Sequence, residues 1–379
     1  VFDVSSNRDG RWNATMVASS GQDQDVLIRA EGAIGRIIMN RPRARNALTH
    51  QMADEINAAL TRWSQDPAIL AVVINGAGEH GLCAGGDVRA MRAGAIAGDG
   101  GANEFFRAEY RLNSQISHFP KPYIAMMDGL TMGGGIGLSA HGRIRIVTER
   151  SKLAMPEVTI GLAPDIGASW LLSRARGELG TYAALTGTTM TASDGLHLGL
   201  ADHYLPSDRL DEFIARVVDE STSGNLDEER INSLLGDMTM EVPDSALVAA
   251  SEWIDACFAY DTVEEILAAL DAQGGVAQAQ TAATIREKSP RALKVSLESL
   301  RRARALGSLD EALEQEFNVS CTLMSSHDAI EGIRALIVDK DRNPTWEPAS
   351  LAAVDHNLVE AAFAPGPQGP LGLFHRLVP

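Results

Sequence analysis

The chain has 379 residues, with 33 Lys+Arg against 50 Asp+Glu and a formal net charge of −17. An acid excess of that size excludes a general nucleic-acid binder, which needs a basic face to displace condensed counterions. Hydrophobic residues at 45% and charged residues at 22% exclude a disordered chain. No apolar run approaches the ~20 residues of a membrane span.

Residues 1–24 are polar and aperiodic and are expected to form a mobile tail. They carry neither the basic start nor the apolar stretch of a signal peptide. Cys83, Cys257 and Cys321 form an odd, widely spaced set that suits free thiols in a reducing compartment, and a cytoplasmic protein is the expectation. The His residues show no paired spacing of a zinc site, so no metal is expected.

VLIRAE and GRIIMN read as strands. A helix follows, with Thr49 as N-cap and Met52, Ile56, Leu60 and Trp63 at helical spacing, and Pro67 ends it. LAVVING reads as a buried strand. The glycine-containing loop GEHGLCAGGDVRAM leaves it and enters a helix. AGAIAGDGGAN reads as a flexible insertion, EFFRAEYRLNSQISHF as a helix, and KPYIAMMDG as a strand entered through Pro122. TMGGGIGLSAHG is a second glycine turn with a short helix, followed by the strand RIRIVTE. AMPEVTIGLAPDIGASWLL runs through a loop into a helix. From about residue 210 the pattern is almost wholly helical. This gives an α/β fold in three parts: a tail over 1–24, a core with the active site over 25–210, and a mainly helical region over 211–379.

Gly133-Gly134-Gly135-Ile136-Gly137 is the densest special-backbone site. Glycines that end a strand and open a helix bring N–H groups close to a ligand. GxGxxA at 135–140 matches a dinucleotide fingerprint only superficially, because the next strand follows too soon for a βαβ crossover. Gly137-Leu138-Ser139-Ala140-His141 misses the GxSxG nucleophile elbow at its last place, which leaves Ser139 and His141 as packing residues. Cys83-Ala84-Gly85-Gly86-Asp87 is a second glycine turn. Asp87 suits a helix cap, and Cys83 a buried thiol. Two glycine turns, each ending a strand, could supply one N–H each to an oxyanion hole. Glu157 and Asp165 are eight apart with Gly161 and Pro164 between them, so they meet only through a folded-back loop. Their apolar neighbours would raise their pKa values toward general acid–base use. Each could equally be structural, Asp165 as the cap of the helix IGASWLL. Arg41, Arg43 and Arg45 form a local basic cluster suited to phosphate or to solvent.

Together NRPRARNAL, CAGGDVR, FFRAEY, DGLTMGGGIGLSAHG, AMPEVTIGLAPDIG and HDAIEGIRALIVDKDRNPTWEP resemble the crotonase (enoyl-CoA hydratase/isomerase) superfamily. The resemblance is closest to its 3-hydroxyisobutyryl-CoA hydrolase branch and covers roughly residues 25–350. It implies a crotonase-like spiral of ββα units with a helical C-terminal region. It also implies a small-molecule acyl-CoA substrate, CoA being part of that substrate and no separate cofactor being needed. The partner expected is that ligand, with no nucleic acid and no membrane, and a homo-oligomer is left open. By the same resemblance Gly86 and Gly134 form the oxyanion hole, and Glu157 and Asp165 are catalytic. Glu109, Arg43, Arg45, Ala84 and Asp87 are substrate-binding. A hydratase would usually carry a second Glu where this chain has Gly137, which favours thioester hydrolysis over hydration. Ala163 and Ala168 stand where a bulkier residue and a glycine are expected beside the acyl site. The alternatives are an enoyl-CoA hydratase/isomerase and a non-catalytic acyl-CoA binder.

Overall fold

A computed structural model describes residues 24–373 of the chain. The tail expected over 1–24 lies, apart from Gln24, outside the described residues. Strands β1 (Val26–Glu31), β2 (Ile34–Met39), β3 (Ala71–Gly76), β4 (Tyr123–Met127), β6 (Ile144–Val147) and β8 (His203–Tyr204) form one six-stranded sheet in the order β1-β2-β3-β4-β6-β8. Between them in sequence, β5 (Leu130–Met132) and β7 (Lys152–Ala154) pair in a second, parallel sheet. Only β1 with β2 is antiparallel, with Val26 opposite Met39; the remaining neighbours run parallel.

The central strands read as continuous apolar runs because both faces of the sheet are covered. Successive residues alternate between two cores, as strand geometry requires. Val72, Ile74, Tyr123, Ala125 and Met127 enter the larger core. Ala71, Val73, Ile124, Met126 and Ile146 enter the smaller one, closed by Phe213, Val217, Ile231 and Leu235 of two helices from the C-terminal half.

Helix α1 (His50–Gln65) begins where expected. The Thr49 side chain accepts the Met52 N–H, and Met52, Ile56, Leu60 and Trp63 are all buried. The segment AGAIAGDGGAN is not the flexible insertion its glycines suggested. Most of it belongs to α2 (Val88–Ala97) and to the start of α3 (Gly101–Ser117). The break between these helices is three residues long. Gly98 and Gly100 take positive φ there, and Asp99 accepts the Gly101 N–H. Later helices, Pro290–Ala303, Leu309–Met324 and His327–Ile333, pack back onto α2, α3 and the loop after β7. The helical half therefore forms one wall of the core's cleft. Among the described residues no helix is long and apolar enough to cross a membrane, and no group of three His, Cys, Asp or Glu could hold a metal ion.

Candidate active site

The two glycine turns are brought together by backbone pairing. Cys83 N–H donates to Leu130 O at 3.0 Å and Met132 N–H to Cys83 O at 3.0 Å, so the first turn lies along the strand that leads into the second. On its other side the first turn bridges Leu48, which donates to Gly85 O and accepts from Asp87 N–H, each at 2.9 Å. That alternation leaves the Gly86 N–H facing away from Leu48. The short helix α4 (Gly134–Gly137) starts beside it, and a Cβ on Gly134 would lie 3.3 Å from Gly86 N and 2.4 Å from Glu109 Oε1. Among the described residues neither the Gly86 nor the Gly134 N–H donates to a protein acceptor. Two adjacent amides at a buried helix start provide the electrostatics of an oxyanion site.

Glu157 opens a 3-10 helix (Glu157–Ile160) after β7, and Asp165 follows in the loop that doubles back. Both line the same cavity as Gly86, Gly134 and Glu109, a space of about 220 Å³ that suits a small acyl group. All three acids are buried. Glu157 Oε2 and Glu109 Oε1 have no hydrogen-bond partner among the described residues. Burial, followed by the nearby Asp165 carboxylate, pushes Glu157 and Glu109 well above the usual carboxylate range. Burial raises Asp165 to about 6, against the opposing pull of the Tyr110 hydroxyl, which donates to Asp165 Oδ2 at 2.5 Å. Tyr110 also meets Ser320 Oγ at 2.7 Å.

Two residues that sequence reasoning did not assign stand behind Asp165, outside the cavity lining. Tyr110 lay inside the quoted FFRAEY, yet its role was not read. Glu316, on the helix Leu309–Met324, is fully buried and accepts the Gly167 N–H at 2.5 Å and the Ser169 N–H at 2.8 Å. It thus caps α5 (Ala168–Ser173), the task that Asp165 might have had. Its sequence signal is an acid on the helix's apolar face, in register with Ala312, Val319 and Leu323, all buried.

The remaining sequence candidates separate. Ala84 lines the cavity, as do Val88, Phe105 and Leu162. Asp87 does not: one oxygen accepts the Ala90 N–H as the cap of α2 and the other pairs with Arg41 at 3.2 Å. Its side chain thus serves the helix cap and the Arg41 pair and stands outside the cavity wall. Arg43 and Arg45 are exposed and stand outside the cavity wall. Ala163 and Ala168 are buried but do not line the cavity either, so their small size is absorbed by core packing. Cys83 is buried, and burial pushes its thiol up to about 12, which removes it as a nucleophile at neutral pH.

Comparison with known proteins agrees with this arrangement. Residues 34–363 match the sequence model of the enoyl-CoA hydratase/isomerase family. The mitochondrial 3-hydroxyisobutyryl-CoA hydrolase of Gallus gallus is 38% identical over 90% of this chain and 89% of its own length. That of Homo sapiens is 38% identical over 87% of this chain and 86% of its own. Among solved structures, a carnitinyl-CoA dehydratase from Mycobacterium thermoresistibile superposes with a TM-score of 0.86 at 46% identity, covering 92% of this chain and 98% of that one. An enoyl-CoA hydratase from Rhodobacter sphaeroides 2.4.1 gives 0.83 at 39% identity, covering 91% and 99%. With a family match over most of the chain, a sheet and helical wall shared with these structures, and two glycine turns facing buried acids, the chain belongs to the enoyl-CoA hydratase/isomerase family.

Proposed function

We propose that the protein is an acyl-CoA thioester hydrolase acting on 3-hydroxyisobutyryl-CoA, a step of valine degradation. The hydrolases named above lend the substrate. The observation that carries hydrolysis over hydration is the crowding at Gly137. A Cβ there would lie 2.7 Å from Asn113 Nδ2 and 3.0 Å from Ile166 Cβ, so this position has no room for a second acid. A purely ligand-binding role fits poorly with three buried carboxylates, since such burial costs stability and is otherwise idle.

In this reading the thioester oxygen lies between the N–H groups of Gly86 and Gly134, which strengthen their bonds as the carbonyl becomes an oxyanion. Glu157 either attacks the carbonyl carbon itself or takes a proton from the attacking water. The C–S bond then breaks and the CoA sulfur leaves, becoming a thiol on gaining a proton. In the first route a single water then opens the mixed anhydride, and its proton accounts for that gained by the CoA thiolate. Solvent ¹⁸O entering the Glu157 carboxylate in a single turnover marks that route. The substrate hydroxyl donates to Asp165 or Glu109, so an ester lacking it leaves a buried acceptor unpaired. Arg43 and Arg45 hold the nucleotide phosphates from outside the cavity. Cys83, Cys257 and Cys321 are free. That agrees with a reducing compartment, the ground for a cytoplasmic enzyme, whereas the curated relatives named above are mitochondrial.

The test is incubation with 3-hydroxyisobutyryl-CoA, isobutyryl-CoA and crotonyl-CoA, following free thiol and enoyl absorbance separately. Thiol release with the hydroxyacyl ester above all is expected. Loss of enoyl absorbance without thiol would establish hydration instead, and binding without either signal would establish a non-catalytic protein.

A further inference from the structure

The residue after Asp165 has an unusual backbone. Ile166 takes φ +58, in the left-handed region that a β-branched residue strongly disfavours. Gly167 follows at φ +84, and a Cβ there would lie 2.6 Å from both His141 Cε1 and Leu309 Cδ1. A strained reversal of this kind persists only when its surroundings over-determine it. Here three bonds do so. His141 Nε2 lies 2.6 Å from Ile166 O; a carbonyl only accepts, so the imidazole is the donor. Glu316 Oε2 accepts the Gly167 N–H, and Oε1 accepts the Ser169 N–H. One helical turn further along the same face, Ser320 meets Tyr110, whose hydroxyl donates to Asp165.

We propose that Glu316 is a positioning residue for Asp165: with Ser320 on the same helix face and His141 opposite, it clamps the Ile166–Gly167 reversal and so fixes the carboxylate relative to Glu157. The helical C-terminal half is then part of the catalytic apparatus, through a helix that lines no part of the acyl cavity. This rests on the hydrolase reading. It goes further by assigning work to an acid about 150 residues from the motifs, a separation given by the 149 and 147 positions spanned by its two bonds. Burial raises Glu316 to about 8, while its two backbone donors oppose that rise.

The experiment compares Glu316→Gln, Asp165→Asn and the double variant on 3-hydroxyisobutyryl-CoA. Glutamine keeps the size but offers one acceptor oxygen for two N–H groups, so one of them faces an NH2. Expected for Glu316→Gln is a fall in kcat of about 10- to 100-fold with little change in KM, because a displacement on the order of 1 Å costs that much. The acid limb of its kcat/KM profile should move, since Asp165 loses its fixed surroundings. In the Asp165→Asn background Glu316→Gln should add less than about twofold, as groups acting through one another are non-additive. A loss that multiplies with that of Asp165→Asn, or a folded Glu316→Gln with normal kcat and pH profile, would overturn the assignment. If Glu316→Gln does not fold, Ser320→Ala decides: it should show the same kcat-selective, Asp165-dependent loss, and normal turnover would sink the clamp. Full activity of Asp165→Asn would instead refute the site reading itself, a different signature from failure of the clamp alone.

Discussion

Glu331, Asp339 and Asp341 share the guanidinium of Arg334, at 2.8, 2.8 and 2.6 Å. Glu109, Glu157, Asp165 and Glu316 share no cation among the described residues. Apart from Glu316, the two groups are far apart in sequence but approach one another at the cavity. Arg334 opens the π-helical stretch Arg334–Val338, whose Leu336 and Ile337 line the acyl cavity. Yet their acids are treated oppositely. Hydrogen bonds from Arg334 pull Glu331 down to about 2, whereas burial raises all four acids of the site. The acids around Arg334 are exposed enough to pair with a cation, whereas the four buried acids have only hydrogen bonds or no partner at all. Burial together with isolation from cations separates the acids at the cavity from those around Arg334.

The sharpest way to break this contrast is to remove the proton-active group itself. Glu157→Gln keeps volume and hydrogen bonding but can neither attack nor accept a proton. Hydrolysis should fall by about 10²–10⁴-fold with CoA-ester affinity retained. A binding titration beside a steady-state assay checks both halves, and near-normal turnover would remove Glu157 from the mechanism. Gly134→Ala attacks the other half of the site. Its methyl would sit between Gly86 N and Glu109 Oε1, in the space the proposed oxyanion would occupy. A loss of about 10²–10³-fold in kcat is expected, comparable to deleting one oxyanion donor. Circular dichroism must first show a native fold, and a folded, fully active variant would place the donors elsewhere.

How much of this was legible beforehand follows the range of each interaction. Strand alternation, the Thr49 cap and both glycine turns are local, and they read correctly. Glu157 and Asp165 could be singled out because their apolar neighbours are adjacent in sequence. The glycine-rich stretch at 93–103 misled, because Gly98 and Gly100 mark one tight break between two helices and not a loop. The partners of Asp165 were hidden for a different reason. Tyr110 reaches it from α3, while Ser320 and Glu316 brace Tyr110 and Gly167 from the helix Leu309–Met324, and only tertiary packing brings these two helices to the loop of Asp165. The same holds for Leu336 and Ile337. No local pattern says that this stretch returns to cover the acyl cavity.

Stability offers a gentler probe of the same contrast, with opposite signs in the two regions. Glu109 has a folded pKa raised above its unfolded one, so the native state binds the extra proton. Its contribution is fully present below the unfolded value and is lost as pH rises through the folded value. Glu109→Gln removes that loss and should raise Tm at alkaline pH, with the gain shrinking as pH falls toward the ordinary carboxylate range. Glu331 has a depressed pKa, so its contribution is present above the unfolded value and fades as pH falls toward about 2. Arg334→Ala should therefore lower Tm at neutral pH, modestly because the pairs are partly exposed, and should converge with the parent in acid. Melting curves across pH read both. Parallel curves for the two variants would erase the distinction between paired and unpaired acids.

The smallest expected effect concerns cations that belong to neither group. Arg41 is engaged by Asp87 and Asp25, but Arg43 and Arg45 stand exposed. Arg45 is held at φ 53 in a tight turn, and its carbonyl accepts the Ala84 N–H, which ties this turn to the cavity's rim. In a chain of net charge −17 a CoA ester meets a repulsive field, so free cations near that rim are where its phosphates gain most. Arg43→Ala or Arg45→Ala should raise KM for the CoA ester with little change in kcat, since the contact is equal in ground and transition states. The increase should shrink at high salt, because charges this exposed are screened over about 8–10 Å at physiological ionic strength. It should shrink again for a pantetheine thioester, which keeps the acyl group and loses the nucleotide phosphates. Equal KM increases for both esters would show that these arginines do not read phosphate, and the search for its cations would move to Lys340 and Arg342, which carry positive φ just beyond the cavity wall.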